Sequence, residues 1–249
     1  MKLHIAHLYP ELLNIYGDKG NVTAFTQRCL WRNINVEVHE INPGDEIDPD
    51  LFDFYFIGGG QDQQQIMVAS ELQRQAENLR KAANNNAVFL AICGGYQLLG
   101  HYYQPHQGDK IPGISILDAY TIAGNTRYIG NVTINTDFSE LKKTDIKNPN
   151  TLVGFENHSG LTYLQGETKP LGIVQVGNGN NGKDKTEGAV YKNVFGTYLH
   201  GSLLPKNPHF TDYLITLALR RTNSSDVKLT ELNDEIEFSA HKKAVNRKY

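Results

Sequence analysis

Short apolar runs alternate with helical patterns along the first half of the chain, the arrangement expected of parallel βαβ units. Residues 2–8 form a first predicted strand, 36–41 a second and 52–57 a third, the last ending in Gly58-Gly59-Gly60. Between the first two, Val22, Phe25 and Cys29 recur at helical spacing. Val68, Leu72, Ala76, Leu79 and Ala83 step by three and four, predicting one helix that stops at Asn84-Asn85-Asn86. Residues 87–92 are continuously apolar, as suits a strand buried at the centre of a parallel sheet.

The second half changes character. Segments 113–123, 127–135, 151–157, 171–176 and 188–199 are strand-like and joined by turn-rich stretches, which predicts an antiparallel extension of the sheet. The Gly- and Asn-rich segment 177–185 reads as an unpacked, mobile hairpin tip. A helix over 210–221 and a polar helical tail from Glu235 complete the chain. No repeat or linker divides it, so we expect one α/β domain over 1–222 with a tail over 223–249.

Composition narrows the class. With 249 residues, 39% of them hydrophobic, and 23 glycines, a packed core is feasible. A net charge of −3 and no long basic block argue against a nucleic-acid partner. The amino terminus lacks the apolar run of a secretory signal, and the longest apolar stretches are strand-sized. Two cysteines, Cys29 and Cys93, suit a reducing compartment better than a disulfide framework. The expected location is the cytoplasm.

The chemistry concentrates around Cys93. A buried strand runs directly into it, with Ala91 two residues before and Gly94 and Gly95 after, so the chain can turn sharply into a helix. A thiol placed there faces a helix N-terminus, where backbone N–H groups favour thiolate. Cys29, on an apolar helix face with Val22 and Phe25, reads as a core cysteine instead. A thiolate attacking a carboxamide needs donors for the developing oxyanion. Gly58-Gly59-Gly60 ends the neighbouring strand at the same sheet edge, so Gly59 and Gly94 are the expected donors. For the base, His200 ends the run Phe195-Gly-Thr-Tyr-Leu-His-Gly201 at a strand terminus, with His158 the second candidate. The remaining histidines considered, His4, His7, His101 and His106, fall on strand faces or in a polar loop.

The motifs Ala91-Ile-Cys-Gly-Gly-Tyr-Gln97, Gly154-Phe-Glu-Asn-His158 and Gly196-Thr-Tyr-Leu-His-Gly201 resemble class I glutamine amidotransferases of the cobyric-acid-synthase-like branch. Among these the chain is most similar to subunits that serve peptidoglycan amidation. The likeness runs from Leu3 through the helix near Thr211, takes in Phe56-Ile-Gly-Gly-Gly-Gln61, and weakens after about residue 222.

That resemblance implies a flavodoxin-like fold, a glutamyl thioester on Cys93 and proton transfer by His200. It also implies that Arg127 binds L-glutamine, with Gly58, Gly60 and Gln97 as further substrate-binding residues. Ammonia would pass to a MurT-like Mur-ligase partner in a heterodimer. That partner would use ATP and magnesium to amidate the D-glutamate α-carboxyl of lipid II, at the inner membrane surface. No metal or cofactor is expected in this chain, which lacks a Gly-Lys-Ser/Thr loop and paired cysteines.

One position departs from the pattern. Many class I enzymes carry an acid two residues after the histidine, and here that residue is Ser202. His200 then works in a dyad, or an acid arrives from elsewhere, such as Glu156 or the partner. Two other readings share the fold: a stand-alone cysteine hydrolase, such as a γ-glutamyl hydrolase or peptidase, and an amidotransferase of a cobyric-acid-type pathway. A third, a catalytically silent scaffold, fits poorly with intact Cys93 and His200.

Overall fold

The computed structural model describes residues 1–14, 17–136, 150–222 and 227–247. The first half builds a sheet from β1 (Lys2–Leu8), β2 (Asn35–Ile41), β3 (Phe54–Ile57) and β4 (Val88–Ile92). Helix α1 (Lys19–Leu30) connects β1 to β2, and α2 (Asp62–Arg74) and α3 (Ala76–Asn84) connect β3 to β4. After β4 comes the short helix α4 (Gly94–Leu99).

The chain then forms a second sheet from β5 (Tyr102–Gln104), β6 (Ile111–Pro112), β7 (Ala119–Asn135), β8 (Thr151–Leu164), β9 (Gly172–Val176) and β10 (Thr186–Glu187). It returns to the first sheet through β11 (Ala189–Tyr191) and β12 (Val194–Thr197). Three helices follow: α5 (Leu203–Lys206), α6 (Pro208–Thr222) and α7 (Glu235–Val245).

The first sheet has the order β11-β12-β4-β3-β1-β2 and is parallel except for β11. In the second sheet β7 is central, and most of its pairings are antiparallel. This is the α/β architecture expected, with the antiparallel extension as a sheet of its own.

Register decides where the site forms. Leu8 pairs with Ile57, Ile57 with Ala91, and Ile92 with Thr197, so four parallel strands end level with one another. Leaving those ends are residues 9–14, with 17–18 further on, then 58–60, Cys93 and 198–200. Side-chain alternation packs both faces of the sheet. Tyr55, Ile57, Phe89 and Ala91 meet α2 and α3, while Phe54, Phe56, Leu90 and Ile92 meet α1 and α6. Phe25 stacks on Phe54 at 4.2 Å and Tyr55 on Phe89 at 4.4 Å. Each such fully buried side chain contributes about 1.5–3 kcal/mol of burial, which makes the strand ends a rigid platform.

Several boundaries differ from the sequence expectation. The single helix through Val68 and Ala83 is two, broken at Gln75, whose amide side chain bonds Asp45 and Glu46 instead of continuing outward. The predicted strand 113–123 begins only at Ala119 and then merges with the next into one 17-residue strand. Segment 188–199 is a tight hairpin, β11 to β12, turning at Lys192 with φ 50°.

Segment 177–185 is not an unpacked tip. Asn180 and Asn181 are buried, and Asn180 both donates to the Gly188 carbonyl and accepts from its N–H. Side-chain amides here replace the missing backbone ladder, which a reading of composition alone cannot anticipate. The tail helix α7 docks through His241, which bonds the Lys206 carbonyl and Thr151, and through Asp234, which pairs with buried Arg28.

Candidate active site

Cys93 sits between β4 and α4 with φ 49° and ψ −105°, a conformation a non-glycine residue adopts only under constraint. Its N–H donates to the Thr197 carbonyl at 2.9 Å, so the sheet ladder continues up to the turn. The two glycines that follow make the turn possible. A Cβ on Gly94 would lie 3.0 Å from both N and O of Gly60, and one on Gly95 would lie 2.8 Å from the Gly58 carbonyl. The Gly58–Gly60 backbone therefore rests directly on the start of α4. Cys29, by contrast, is fully buried, and burial pushes its thiol up to about 12.

Three side chains converge on Gly59. A Cβ placed there would be 3.1 Å from His200 Cε1, 3.3 Å from Asp18 Oδ2 and 3.3 Å from Cys93 Cβ. His200 is held by reciprocal backbone hydrogen bonds with Phe155 of β8. Burial disfavours its imidazolium, but the charge on the Cys93 sulfur and contact with Asp18 outweigh that and raise its pKa. Asp18 Oδ1 lies 3.7 Å from His200 Nδ1, and Oδ2 accepts the Gly59 N–H at 2.7 Å.

That last bond corrects one expectation. The Gly59 N–H is committed to Asp18 and does not face an incoming oxyanion. Gly60 N packs against the Gly94 backbone beside Cys93.

A cavity of about 730 Å³ opens over Cys93, Gly60, Gln97, His158 and His200, with Arg127 and Asn157 at its rim. Arg127 reaches it because β7 bulges against β8. Pairing jumps from Ala123↔Gly160 to Tyr128↔His158, throwing residues 124–127 outward. The Arg127 Nε donates to Asn157 Oδ1 at 2.6 Å, which aims the guanidinium. Gln97 donates to the Tyr198 hydroxyl, and that hydroxyl also meets Thr162.

His158 stacks flat on Tyr198 at 3.6 Å, its Nδ1 bonded to the Gly160 carbonyl. Burial lowers its pKa to about 4, so it is a neutral wall of the cavity. Glu156 is turned away from His200. Its carboxylate accepts from the N–H groups of Asn178 and Gly179, and thereby holds the 177–179 turn.

Asp18 escaped the sequence reading because an aspartate immediately before a helix looks like an N-cap. Here it makes no capping bond, its carboxylate being used across the sheet edge. His106, set aside as a loop residue, bonds the Gly124 carbonyl and lines the cavity mouth. Among the described residues, one group has metal-ligand spacing, His4, Glu37 and His39. It lies at the β1–β2 edge, away from the cavity, with the Lys2 ammonium already on Glu37.

A strained cysteine at a strand–helix turn, a buried histidine beside it and a glycine-lined cavity are the apparatus of a thiol-dependent amidotransferase. The chain belongs to the CobB/CobQ-like glutamine amidotransferase family, whose domain matches residues 4–208.

Two relatives are the glutamine-hydrolyzing subunit GatD of lipid II isoglutaminyl synthase. The chain is 41% identical to that of Staphylococcus aureus, over 99% of this chain and 96% of the relative. It is 40% identical to that of Streptococcus pneumoniae, over 94% and 86% respectively. A probable cobyric acid synthase from Methanothermobacter thermautotrophicus is 32% identical, but this chain covers only 40% of its length. Among solved structures, PurLQS from Thermotoga maritima shares the fold with a TM-score of 0.63 at 16% identity, covering 90% of this chain and all of that one.

Proposed function

We propose that this chain is the glutamine-hydrolysing subunit of a lipid II isoglutaminyl synthase. The observation that carries the chemistry is the convergence of Cys93 and His200 on Gly59, below a cavity rimmed by Arg127. The choice of pathway rests on length. The chain spans 86–96% of the GatD relatives but only 28–40% of the cobyric acid synthases it resembles.

In this reading Arg127 holds the α-carboxylate of L-glutamine through charge-assisted hydrogen bonds. The Cys93 thiolate attacks the side-chain carboxamide, and the N–H groups of Gly60 and Gly94 stabilise the oxyanion. His200 delivers its proton to the departing ammonia, leaving a glutamyl thioester. It then takes a proton from water as that water attacks the thioester, which releases glutamate and restores the thiolate–imidazolium pair. Gly58 and Gln97 shape the floor, and His158 remains a neutral wall.

Ammonia passes to a Mur-ligase-like partner that activates the D-glutamate α-carboxyl with ATP and magnesium. In this reading lipid II is reached through that partner; no helix among the described residues is long and apolar enough to cross a membrane.

Reconstitution with the partner tests the reading. Cys93→Ala should abolish glutamine-dependent amidation and leave ammonia-dependent amidation intact. Loss of both, in a complex that still assembles, would show that Cys93 is structural. A glutamine-mimicking electrophile should label Cys93 and spare Cys29.

A further inference from the structure

We propose that Asp18 is the positioning acid of this site, and that Ser202 anchors the loop that supplies it. The inference rests on the glutaminase reading, since it concerns the histidine that serves Cys93.

The position two residues after His200 carries no carboxylate, yet Ser202 has a defined task. Its Oγ donates to the Gly17 carbonyl at 2.8 Å, one residue before Asp18. Gly20 leaves room for it: a Cβ there would come within 2.3 Å of that same Oγ. Two residues on, the Leu204 N–H donates to Asn21 Oδ1 at 2.9 Å. The segment 17–21 is thus fastened to the segment 202–204 at both ends. Between the fastenings, Asp18 is fully buried and turned toward His200 Nδ1. The acid facing His200 comes from the loop after β1 rather than from the histidine's own strand end, and Ser202 ties that loop down.

The two oxygens of Asp18 divide the work. Oδ2 fixes the Gly59 N–H at 2.7 Å, which sets the glycine backbone beneath the cavity. Oδ1 faces Nδ1 of His200, holding Nε2 toward the thiol side and stabilising the imidazolium. One carboxylate therefore aligns the proton carrier and the glycine loop together.

The test compares Asp18→Asn with Asp18→Ala in the full chain. Asparagine retains an oxygen for the Gly59 N–H but loses the charge facing His200; alanine loses both. The groups facing His200 are Cys93 from the β4–α4 turn, Asp18 from the β1–α1 loop and His158 from β8. All but Asp18 are unchanged in these variants.

We expect Asp18→Asn to lower kcat for glutamine hydrolysis by roughly 10²–10³-fold with KM little altered. The alkaline limb of its pH profile, and the His200 titration followed by NMR of carbon-labelled histidine, should move down by about one unit. Asp18→Ala should be at least as impaired, and Ser202→Ala should lose about tenfold. If Asp18→Asn keeps wild-type kcat and His200 titration while Asp18→Ala fails, Asp18 is structural and the inference is overturned. If the wild-type chain itself hydrolyses no glutamine, the functional reading fails instead, and the NMR titration still tests the Asp18–His200 pairing.

Discussion

The N–H of Cys93 donates to the carbonyl of Thr197 across 2.9 Å, tying the end of β4 to the end of β12. Three residues after Thr197 comes His200. One ladder bond therefore fixes the separation of two residues more than a hundred positions apart in sequence. Beneath it, the buried Glu187 carboxyl accepts from the Thr197 hydroxyl and the Tyr198 N–H, bracing the strand end that leads to the histidine. The site is thus braced by backbone and side-chain hydrogen bonds at the ends of two neighbouring strands.

Gly95→Ala should disturb the turn more than its size suggests. The added methyl would lie 2.8 Å from the Gly58 carbonyl and 2.9 Å from that of Ile57, backbone atoms that cannot rotate away. We expect about 1–3 kcal/mol of destabilisation and a fall in kcat on the order of 10²-fold. Thermal unfolding and steady-state glutamine hydrolysis measure the two separately. Wild-type kcat would show that Cys93 tolerates a shifted loop.

Arg127→Ala should act chiefly on substrate affinity. The guanidinium stands at the cavity rim on the β7 bulge, aimed by Asn157. Losing charge-assisted bonds worth about 1.5–3 kcal/mol should raise KM for glutamine roughly 10–100-fold. An unchanged KM would remove Arg127 from the substrate site.

Asn180→Ala tests whether segment 177–185 is part of the folded body. Asn180 is fully buried and serves both backbone groups of Gly188. Leaving those groups unpaired should cost at least about 2 kcal/mol, visible as a lower chemical-denaturation midpoint. A change within about 0.5 kcal/mol, normal for a surface residue, would restore the picture of a loose tip.

Glu187 gives a pH prediction of definite sign. Burial raises its carboxyl from 4.5 to about 7, although Thr197 Oγ and the Tyr198 and Gly188 amides pull it down. The unfolded chain releases this proton near 4.5 and the folded chain near 7, so the unfolded state binds fewer protons between them. The contribution of Glu187 to stability must then fall as pH rises through that window, by roughly 3 kcal/mol in total. Glu187→Gln removes the titration, so its stability relative to wild type should improve steadily from pH 4.5 to 7.5. A pH-independent difference would mean that Glu187 stays charged in the fold.

Much of this was legible along the chain. The continuous apolar run ending at Cys93 and the glycines after it could only suit a buried strand entering a tight turn. Glycine at 58–60 marked the neighbouring strand end, and His200 stood at another. Local pattern suffices for such features, because alternation, apolar length and glycine placement depend on immediate neighbours in sequence.

Tertiary structure decided the rest, since each remaining assignment depends on groups brought together across the fold. Asp18 carries no signal of this role in the sequence, and only the register of β1 on β3 brings it to Gly59. The same contact takes the Gly59 N–H out of the expected oxyanion role. Glu156 reads as a possible acid until its carboxylate is seen holding the 177–179 turn. Sequence by itself determined the strand ends and the residues stationed there. Which carboxylate faces which histidine was decided by strand register and loop packing, because hydrogen bonds between distant segments leave no periodic mark on the chain.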